Sequence, residues 1–418
     1  MTQIDPSPTL DSFSITHLQP HRRTLNFKTT LLKKQVAILH DGFIPHYRLK
    51  FFTLLNKTSG TKYVVFHGVP PSLTGHPALP QDPDFPNVRV HNYEISLFGK
   101  RLVYQSVIRK IIFGRFDAVV LGHEPRFLSN LVLFSWCKII GKPVVWWGQG
   151  FQKEKLSGFF DRLIGKLVIA IKKQLACRAN MFIVYTQGGS VKLLNDGVKA
   201  ETIRVVRNTI DMEEQRRFHA EMIKRDPFQL RNAQKLRADS KVLLYIGRIY
   251  KEKKVDELLM LVEQLNVGKL CHSFVEVVVI GGGPELTNIQ RTAEGIPGVH
   301  IVGELYDQKT VAEYLRIASA LVIPGAVGLA VNHAFSQGVP VITREHKYHG
   351  PEVEYIVDGH NGLIVQGDFK TFVQATAKFL NSADDQKRLA KGALATRDEL
   401  TLETMVMAFD DAVMRAMT

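Results

Sequence analysis

The chain has 418 residues, a formal net charge of +14 and a hydrophobic content of 45%. This length predicts two domains, each with its own core. The apolar runs are too short to span a bilayer, and the first residues lack the basic start and apolar centre of a secretory signal. We therefore expect a cytoplasmic protein without a membrane span. The three cysteines lack C-x-x-C spacing, which predicts neither a disulfide framework nor a zinc site.

The positive charge is concentrated in the first half of the chain. Residues 1–209 contain 29 Lys and Arg against 12 Asp and Glu, a net charge of +17, whereas the remainder has 25 against 28, a net charge of −3. Such a field attracts nucleic acid, anionic lipid headgroups or diphosphate ligands. Because no zinc-finger spacing, RNA-binding aromatic signature or helix-turn-helix pattern is present, we expect an anionic membrane surface and no nucleic acid as a partner.

Residues 1–34 are polar and aperiodic, which predicts a mobile N-terminal extension. A first domain is predicted over residues 35–209, where short continuous apolar strands alternate with helical stretches. This alternation indicates a parallel sheet covered on both faces. The first strand occupies residues 36–39, and a helical pattern follows over residues 47–55. Later strands are predicted at residues 63–66, 118–121, 144–147, 182–185 and 203–206.

The second half of the chain repeats this organisation. Residues 210–238 are charged, helical in pattern and poor in core residues, so they are predicted to be a linker. A second doubly wound α/β domain is predicted over residues 239–383. The last segment, residues 384–418, is predicted to be a helical tail that packs back on the first domain. Strands of the second domain are predicted at residues 242–246, 275–280, 300–302, 320–323 and 339–342.

Four loops in the second half follow strands, where an open α/β sheet places its ligands. In the first loop, after Gly247, the cations Arg248 and Lys253 could both reach a diphosphate, although a solvated basic loop is an equal alternative. In the second loop, Gly282 and Gly283 allow a ligand to approach the backbone closely, and a plain tight turn explains them equally well.

The third loop, residues 323–335, places glycines at a strand-to-helix junction. Backbone N–H groups and the helix dipole at such a junction form an anion site for a phosphate. The fourth loop, residues 349–362, contains Glu352 and Glu354, which are either helix caps or ligands of sugar hydroxyls.

In order and spacing, these loops resemble those of the retaining GT-B glycosyltransferases of group 1, which build bacterial polysaccharides and lipopolysaccharides. The resemblance covers roughly residues 35–400 and includes the motif G-L-x-x-x-x-A-x-x-x-G-x-P-V-I. It implies two facing Rossmann-like doubly wound domains with a deep cleft between them. In this cleft Arg248 and Lys253 would hold the donor diphosphate as the catalytic residues, and Gly328 and Leu329 would offer it backbone N–H groups. Asn208 matches the motif that ends the first domain.

Several positions depart from the family pattern. Gly325 and His333 stand where the family has two glutamates; a neutral His333 still hydrogen-bonds hydroxyls, whereas Gly325 offers only its backbone. Glu354 matches the later glutamate of the family better than Glu352. Gln149 replaces a histidine that contacts the donor sugar, and an amide does not act as a general acid or base. The resemblance implies a donor-binding set of Gly247, Gly282, Gly283, Gly325, Gly328, Leu329, His333, Glu354, Gln149 and Asn208.

The acceptor side is predicted in the first domain. Gly42, His46 and Arg48 follow the first strand, and Glu124 follows a later one beside His123. A packed or capping histidine is the alternative for His46.

Two segments, residues 98–115 and 153–178, interleave cations with apolar residues and are predicted to be basic amphipathic helices that bind an anionic membrane in its plane. A core helix with a solvated basic face is the alternative for each.

These observations predict a retaining glycosyltransferase that moves a sugar from a nucleoside diphosphate sugar to a lipid-linked saccharide, peripheral at the inner face of the membrane. No cofactor and no metal is expected, because cationic side chains and N–H groups meet the charge of the leaving diphosphate. A catalytically silent relative that binds a nucleotide sugar or a partner enzyme is the alternative. An epimerase would need an acid–base pair in the cleft, and an NAD-dependent enzyme would need G-x-G-x-x-G spacing.

Overall fold

A computed structural model describes residues 33–69, 83–97, 100–124, 126–150 and 159–418, of which Lys34–Thr418 belong to one compact unit. The predicted extension over residues 1–34 lies almost wholly outside the described residues. The strands of the first half are β1 (Gln35–Leu39), β2 (Lys62–His67), β3 (Asn87–Arg89), β4 (Asn92–Leu97), β5 (Lys100–Gln105), β6 (Ala118–Gly122), β7 (Val144–Gly148), β8 (Met181–Val184) and β9 (Ile203–Val205). Its helices are α1 (Leu49–Thr58), α2 (Ile108–Ile112), α3 (Leu128–Ile139), α4 (Phe159–Cys177) and α5 (Gln187–Asn195).

The first sheet is parallel throughout and has the strand order β3-β2-β1-β6-β7-β8-β9. Alternate residues of its central strands enter two different cores. Val36 and Ile38 belong to the core on one face, and Ala37 and Leu39 belong to the core on the other. Burial on both faces explains why these strands are continuous apolar runs in the sequence.

The second sheet is also parallel, with the order β12-β11-β10-β13-β14-β15. Its strands are β10 (Lys241–Ile246), β11 (Val275–Ile280), β12 (Val299–Gly303), β13 (Ala320–Ile323), β14 (Val341–Arg344) and β15 (Gly362–Val365). The remaining helices are α6 (Met212–Met222), α7 (Pro227–Ala233), α8 (Val255–Val267), α9 (Leu286–Ala293), α10 (Gln308–Ile317), α11 (Ala330–Ser336), α12 (Phe369–Asn381), α13 (Ala383–Glu399) and α14 (Leu402–Ala416). The predicted fold of two doubly wound parallel α/β domains is confirmed.

Helix α14 packs on the first sheet, although it follows the second sheet in sequence. Phe409 is fully buried and contacts Phe51 of α1, with ring centroids 5.3 Å apart. In the segment predicted to be a linker, Met212 of α6 and Leu230 of α7 are buried in the core of the second sheet. The predicted domain boundaries themselves stay predictions.

One predicted element is wrong. Residues 98–115 were expected to form one amphipathic helix, but β5 pairs antiparallel with β4, and of the described residues in this range only Ile108–Ile112 are helical. In β5, Val103 is buried, whereas Arg101 is exposed and pairs with Glu94 across the hairpin. In residues 153–178, the helix α4 is present from Phe159, and residues 151–158 lie outside the described residues.

The strand order of each sheet reverses once, and the reversal positions the site. In the first sheet it lies between β1 and β6, and in the second between β10 and β13. A crevice opens where neighbouring parallel strands send their connections to opposite faces of a sheet. The loops that follow these four strands therefore contribute to the candidate site.

Candidate active site

Side chains of both domains line one cleft. The rings of His46, from the first domain, and Tyr306, from the second, have centroids 6.4 Å apart. Asn208 Nδ2 donates a hydrogen bond of 2.7 Å to Glu352 Oε1. Three cavities of the cleft are named here after a cation in each.

The Lys253 cavity is lined by Tyr47, Gln149, Asn208, Lys253, Gly328 and Glu352, among others. The Arg248 cavity is lined by His46, Gly247, Arg248, Gly282, Tyr306 and His333, among others. The Arg48 cavity is lined by Asp41, Tyr47, Arg48, Glu124, Gln149 and Lys172, among others. Tyr47 and Gln149 line both the Lys253 and the Arg48 cavities, so these two cavities meet at those side chains.

Lys253 ends a short 3-10 turn, Lys251–Lys253, in the loop after β10. Its side chain is 9% exposed, and its Nζ donates a hydrogen bond of 2.5 Å to the backbone oxygen of Ala326. Burial lowers the pKa of Lys253 to about 8, although the nearby Glu352 carboxylate acts in the opposite direction. The amine is therefore mostly protonated at pH 7 and presents a partly desolvated positive charge.

Gly325 holds this turn in place. Its N–H donates to Lys253 O at 3.1 Å, and the N–H of Ala326 donates to Glu252 O at 2.8 Å. A Cβ at position 325 would lie 2.1 Å from Glu252 O, so only glycine permits this approach of two backbones. The family's glutamate has no room at this position in the present arrangement.

The segment before α11 presents backbone donors to the same cavity. The N–H groups of Gly328 and Leu329 make no hydrogen bond within the described residues. A Cβ at position 328 would lie 3.5 Å from Lys253 Nζ, so the amine and this segment face each other. His349 Nδ1 accepts a 3.1 Å hydrogen bond from the N–H of Val327 and so fixes the loop. A cation and free N–H donors thus converge on one space, as an anion requires.

Glu352 is the carboxylate of the Lys253 cavity. It is 5% exposed, and burial raises its pKa, whereas hydrogen bonding to Asn208 and the charges of Arg48 and Lys253 oppose that rise. Glu354 lies elsewhere: its Oε2 accepts a 2.9 Å hydrogen bond from the N–H of Gly188 in α5, and it lines a different cavity. The structure thus brings Glu352, rather than the predicted Glu354, to Lys253.

The two predicted catalytic cations line different cavities. Arg248 is exposed in the Arg248 cavity, and its backbone oxygen accepts a 2.9 Å hydrogen bond from the Tyr245 hydroxyl, whereas its guanidinium makes no hydrogen bond or ion pair within the described part of the chain. His333 lines the same cavity; burial lowers its pKa to about 4, so its ring is neutral at pH 7 and its Nδ1 has no partner among the described residues. Gly247 and Gly282 also line this cavity, whereas Gly283 packs against the backbone of Ile249.

The residues predicted to form the acceptor side in the first domain do not all line the same cavity. Arg48 and Glu124 line the Arg48 cavity, where Glu124 pairs with Arg126 at 3.6 Å. His46 instead lines the Arg248 cavity of the second domain, opposite its predicted acceptor side. Gly42, with a φ of +73°, turns the chain after β1 and lies outside the residues that line these cavities.

Sequence reasoning missed Tyr47, His349 and the Glu304–Tyr306 segment as residues of the site. Glu304 and Tyr306 follow β12, so their position after a predicted strand was the available signal. Among the described residues, no cluster of three or more His, Cys, Asp or Glu side chains could hold a metal. In that same part of the chain, none of the helices is both long enough and apolar enough to traverse a bilayer.

Known proteins resemble both the sequence and the fold. Residues 227–395 match the family described as glycosyl transferases group 1. An uncharacterized glycosyltransferase of Methanocaldococcus jannaschii is 21% identical over 304 residues, which cover 67% of this chain and 72% of that protein. HepE of Anabaena, in complex with UDP and glucose, has a TM-score of 0.65 at 15% identity and is matched over 98% of its chain and 90% of this one. WaaG, a glycosyltransferase involved in lipopolysaccharide biosynthesis, has a TM-score of 0.61 at 16% identity and is matched over 99% of its chain and 90% of this one.

Proposed function

Since residues 227–395 match the group 1 glycosyltransferases and the chain has the GT-B fold, we propose that it transfers a hexose from a nucleoside diphosphate sugar to a saccharide acceptor, with retention of the anomeric configuration. The observation that carries this proposal is the Lys253 cavity, where a buried amine faces the N–H groups of Gly328 and Leu329, for which the described residues offer no acceptor. These groups are suited to the diphosphate of the donor.

The electrostatic contribution of this cavity is large enough to support catalysis. Donors that are fixed before the reaction, in a site from which water is excluded, each stabilise a developing charge by roughly 3 to 4 kcal/mol. Lys253 is held by Ala326 O, and the Gly328 loop is held through His349. Neither group needs to reorganise when the diphosphate departs.

In the proposed reaction, the bond between the anomeric carbon and the diphosphate oxygen breaks. The acceptor hydroxyl oxygen forms the new bond on the same face of the sugar, and its proton passes to the departing phosphate oxygen. Gln149, which lines both the Lys253 and the Arg48 cavities, positions the sugar or the hydroxyl but does not transfer the proton. We propose that Lys253 and the N–H groups take the role that a metal has in other transferases, and that no cofactor takes part.

We propose that the nucleoside occupies the Arg248 cavity. Arg248 supplies a cation on the side of the diphosphate. The neutral ring of His333 and the ring of His46 supply nitrogens for ribose hydroxyls. UDP is the first nucleotide to test, because HepE binds it.

We further propose that the acceptor is lipid-linked and that the first domain meets an anionic membrane at the cytoplasmic face, as part of cell-surface polysaccharide synthesis. The surface that supports this lies on and after α2, where Arg109, Lys110 and Arg115 are exposed beside Phe113, which is 79% exposed. Each cation near an anionic surface contributes about 1 kcal/mol. The involvement of WaaG in lipopolysaccharide biosynthesis is consistent with such an acceptor.

The experiment is a screen for release of nucleoside diphosphate from UDP, GDP, ADP and dTDP sugars, with acceptor saccharides present and absent. We expect one nucleotide class to be turned over, and we expect NMR of the product to display the anomeric configuration of the donor. The substitutions at Gly325 and Gln149 favour a second candidate, a silent relative that binds the nucleotide sugar. Tight donor binding without turnover of any sugar would favour that candidate.

A further inference from the structure

Arg48 is a buried cation without an anionic partner. It is 3% exposed, and no carboxylate lies within ion-pair distance of its guanidinium among the described residues. Its hydrogen bonds go to Met405 Sδ at 3.4 Å and to the hydroxyl of Tyr185 at 3.5 Å. Aromatic rings surround the guanidinium carbon, with centroids at 5.5 Å for Tyr47, 5.7 Å for Phe51, 5.2 Å for Trp147 and 5.7 Å for Tyr185.

Such an environment leaves most of the hydrogen-bonding capacity of the arginine unused. A guanidinium has five N–H donors, and only two weak contacts are made here. Stacked rings offset part of the loss of hydration. A buried charge is ordinarily paired, because the desolvation of an isolated ion costs several kcal/mol. Burial raises the pKa of the Glu352 carboxyl, and the charge of Arg48 offsets part of that rise; Glu352 is hydrogen-bonded to Asn208 and does not reach ion-pair distance of Arg48.

Among the described residues that line the Arg48 cavity, the acidic groups leave Arg48 without an ion pair. Glu124 and Arg126 offset each other as an ion pair, and the buried Lys172 also lines the cavity. Burial raises the pKa of Asp41 to about 7, so this carboxyl is about half protonated at neutral pH. His123 is neutral at pH 7, because burial lowers its pKa to about 4.

We infer that the Arg48 cavity binds an anionic group of the acceptor, a phosphate or a carboxylate carried by the sugar that receives the transferred hexose. This inference rests on the proposed function, because it names the class of acceptor for the same cleft. An oxyanion there would pair with the planar fork of Arg48 and satisfy donors that the protein leaves unused. Because Gln149 and Tyr47 line both this cavity and the Lys253 cavity, an acceptor anchored at Arg48 can direct a hydroxyl toward the donor sugar.

The test measures binding of small anions by calorimetry at constant ionic strength, with the donor nucleotide saturating so that the Lys253 cavity is occupied. The probes are inorganic phosphate, glucose 6-phosphate, glucuronate and glucose. We expect at least one anionic probe to bind at least tenfold more tightly than glucose. Stronger binding of the two phosphates would assign a phosphate group, and stronger binding of glucuronate a carboxylate.

The variants are Arg48→Met, which removes the charge and keeps an apolar side chain, and Arg48→Lys, which keeps the charge but loses the planar fork. We expect Arg48→Met to weaken anion binding at least tenfold and Arg48→Lys severalfold, both with unchanged nucleotide affinity. Lys50→Gln is the control, because it removes one charge from an exposed side chain of α1 two residues away. It should change anion binding less than twofold. If Arg48→Met does not fold, Arg48→Lys carries the comparison.

Anions that bind no better than glucose, or that bind Arg48→Met and wild type equally, would overturn the inference. If the chain nevertheless turns over a donor sugar, the proposed function stands and only the anion site is refuted. Conversely, anion binding that depends on Arg48, without turnover of any donor sugar, would support the anion site and refute the proposed transferase activity.

Discussion

Replacing Lys253 by Met should weaken donor binding and also abolish the pH dependence of that binding. A hydrogen bond to a charged group contributes about 1.5 to 3 kcal/mol, so the variant should raise the Kd for the nucleotide sugar roughly 10- to 150-fold. Lys253→Met keeps the apolar stem that packs in this buried position, which is 9% exposed. The effect should therefore come mainly from the lost charge.

The pH dependence follows from the lowered pKa of about 8 for Lys253. A diphosphate raises this pKa when it binds, so binding takes up a proton and affinity falls as pH rises above 8. The protonated fraction of free Lys253 falls from about three quarters at pH 7.5 to about one tenth at pH 9.0, so the apparent Kd should rise about eightfold.

Calorimetry between pH 7.0 and 9.0, in buffers of different ionisation enthalpy, measures both the affinity and the proton uptake. Lys251→Met is the matched control, because Lys251 is exposed in the same turn and does not line the cavity. The reasoning is refuted if Lys253→Met binds the donor as tightly as wild type, or if its affinity falls with pH as steeply as that of wild type.

Four further changes test other parts of the account. Gly325→Ala should displace the Lys253 turn, destabilise the fold by more than about 1 kcal/mol and weaken donor binding. Gly60→Ala is the control, because no atom lies near its added Cβ, and it should change neither the stability nor the donor affinity. Chemical unfolding measures the stability, and calorimetry measures the affinity. Burial raises the pKa of Asp41 to about 7, so the stability that its protonated form contributes is lost as pH rises through 7. Between pH 5 and 8, the free energy of unfolding should therefore fall by about 2 to 3 kcal/mol more in wild type than in Asp41→Asn, as measured by unfolding titrations. Transfer should survive EDTA, and loss of activity that magnesium or manganese restores would contradict this. Sedimentation with anionic vesicles should fall in a variant with Gln at Arg101, Arg109, Lys110 and Arg115, and persist in a control with Gln at the exposed Lys370, Lys378, Lys387 and Lys391.

The fold was predictable because its strands are apolar on both faces. Residues 320–323 were predicted as a strand with the observed bounds, since a short continuous apolar run between helical stretches is typical of a strand that is buried on both faces of a parallel sheet. The hairpin of β4 and β5 was not predictable in this way. Its cations and apolar residues fit a helix and a strand about equally well, and pairing with Glu94 across the hairpin favours the strand.

Within the site, motif spacing located the loops but not the directions of their side chains. Glu352 and Glu354 lie in the short 3-10 turn Pro351–Tyr355, where residues two apart point in different directions, so only one of them faces Lys253. The position of His46 could not be predicted either, because its contact with Tyr306 depends on how the two domains face each other. No local pattern in the sequence encodes that orientation.

The structure of the chain with a bound nucleotide sugar, determined by crystallography, tests the central claim most directly. We expect the diphosphate to lie within hydrogen-bond distance of Lys253 Nζ and of the N–H groups of Gly328 and Leu329. The nucleoside should lie beside Arg248 and His333, and the sugar toward Gln149. A diphosphate bound away from Lys253 and α11, or a nucleotide bound outside the cleft, would contradict it.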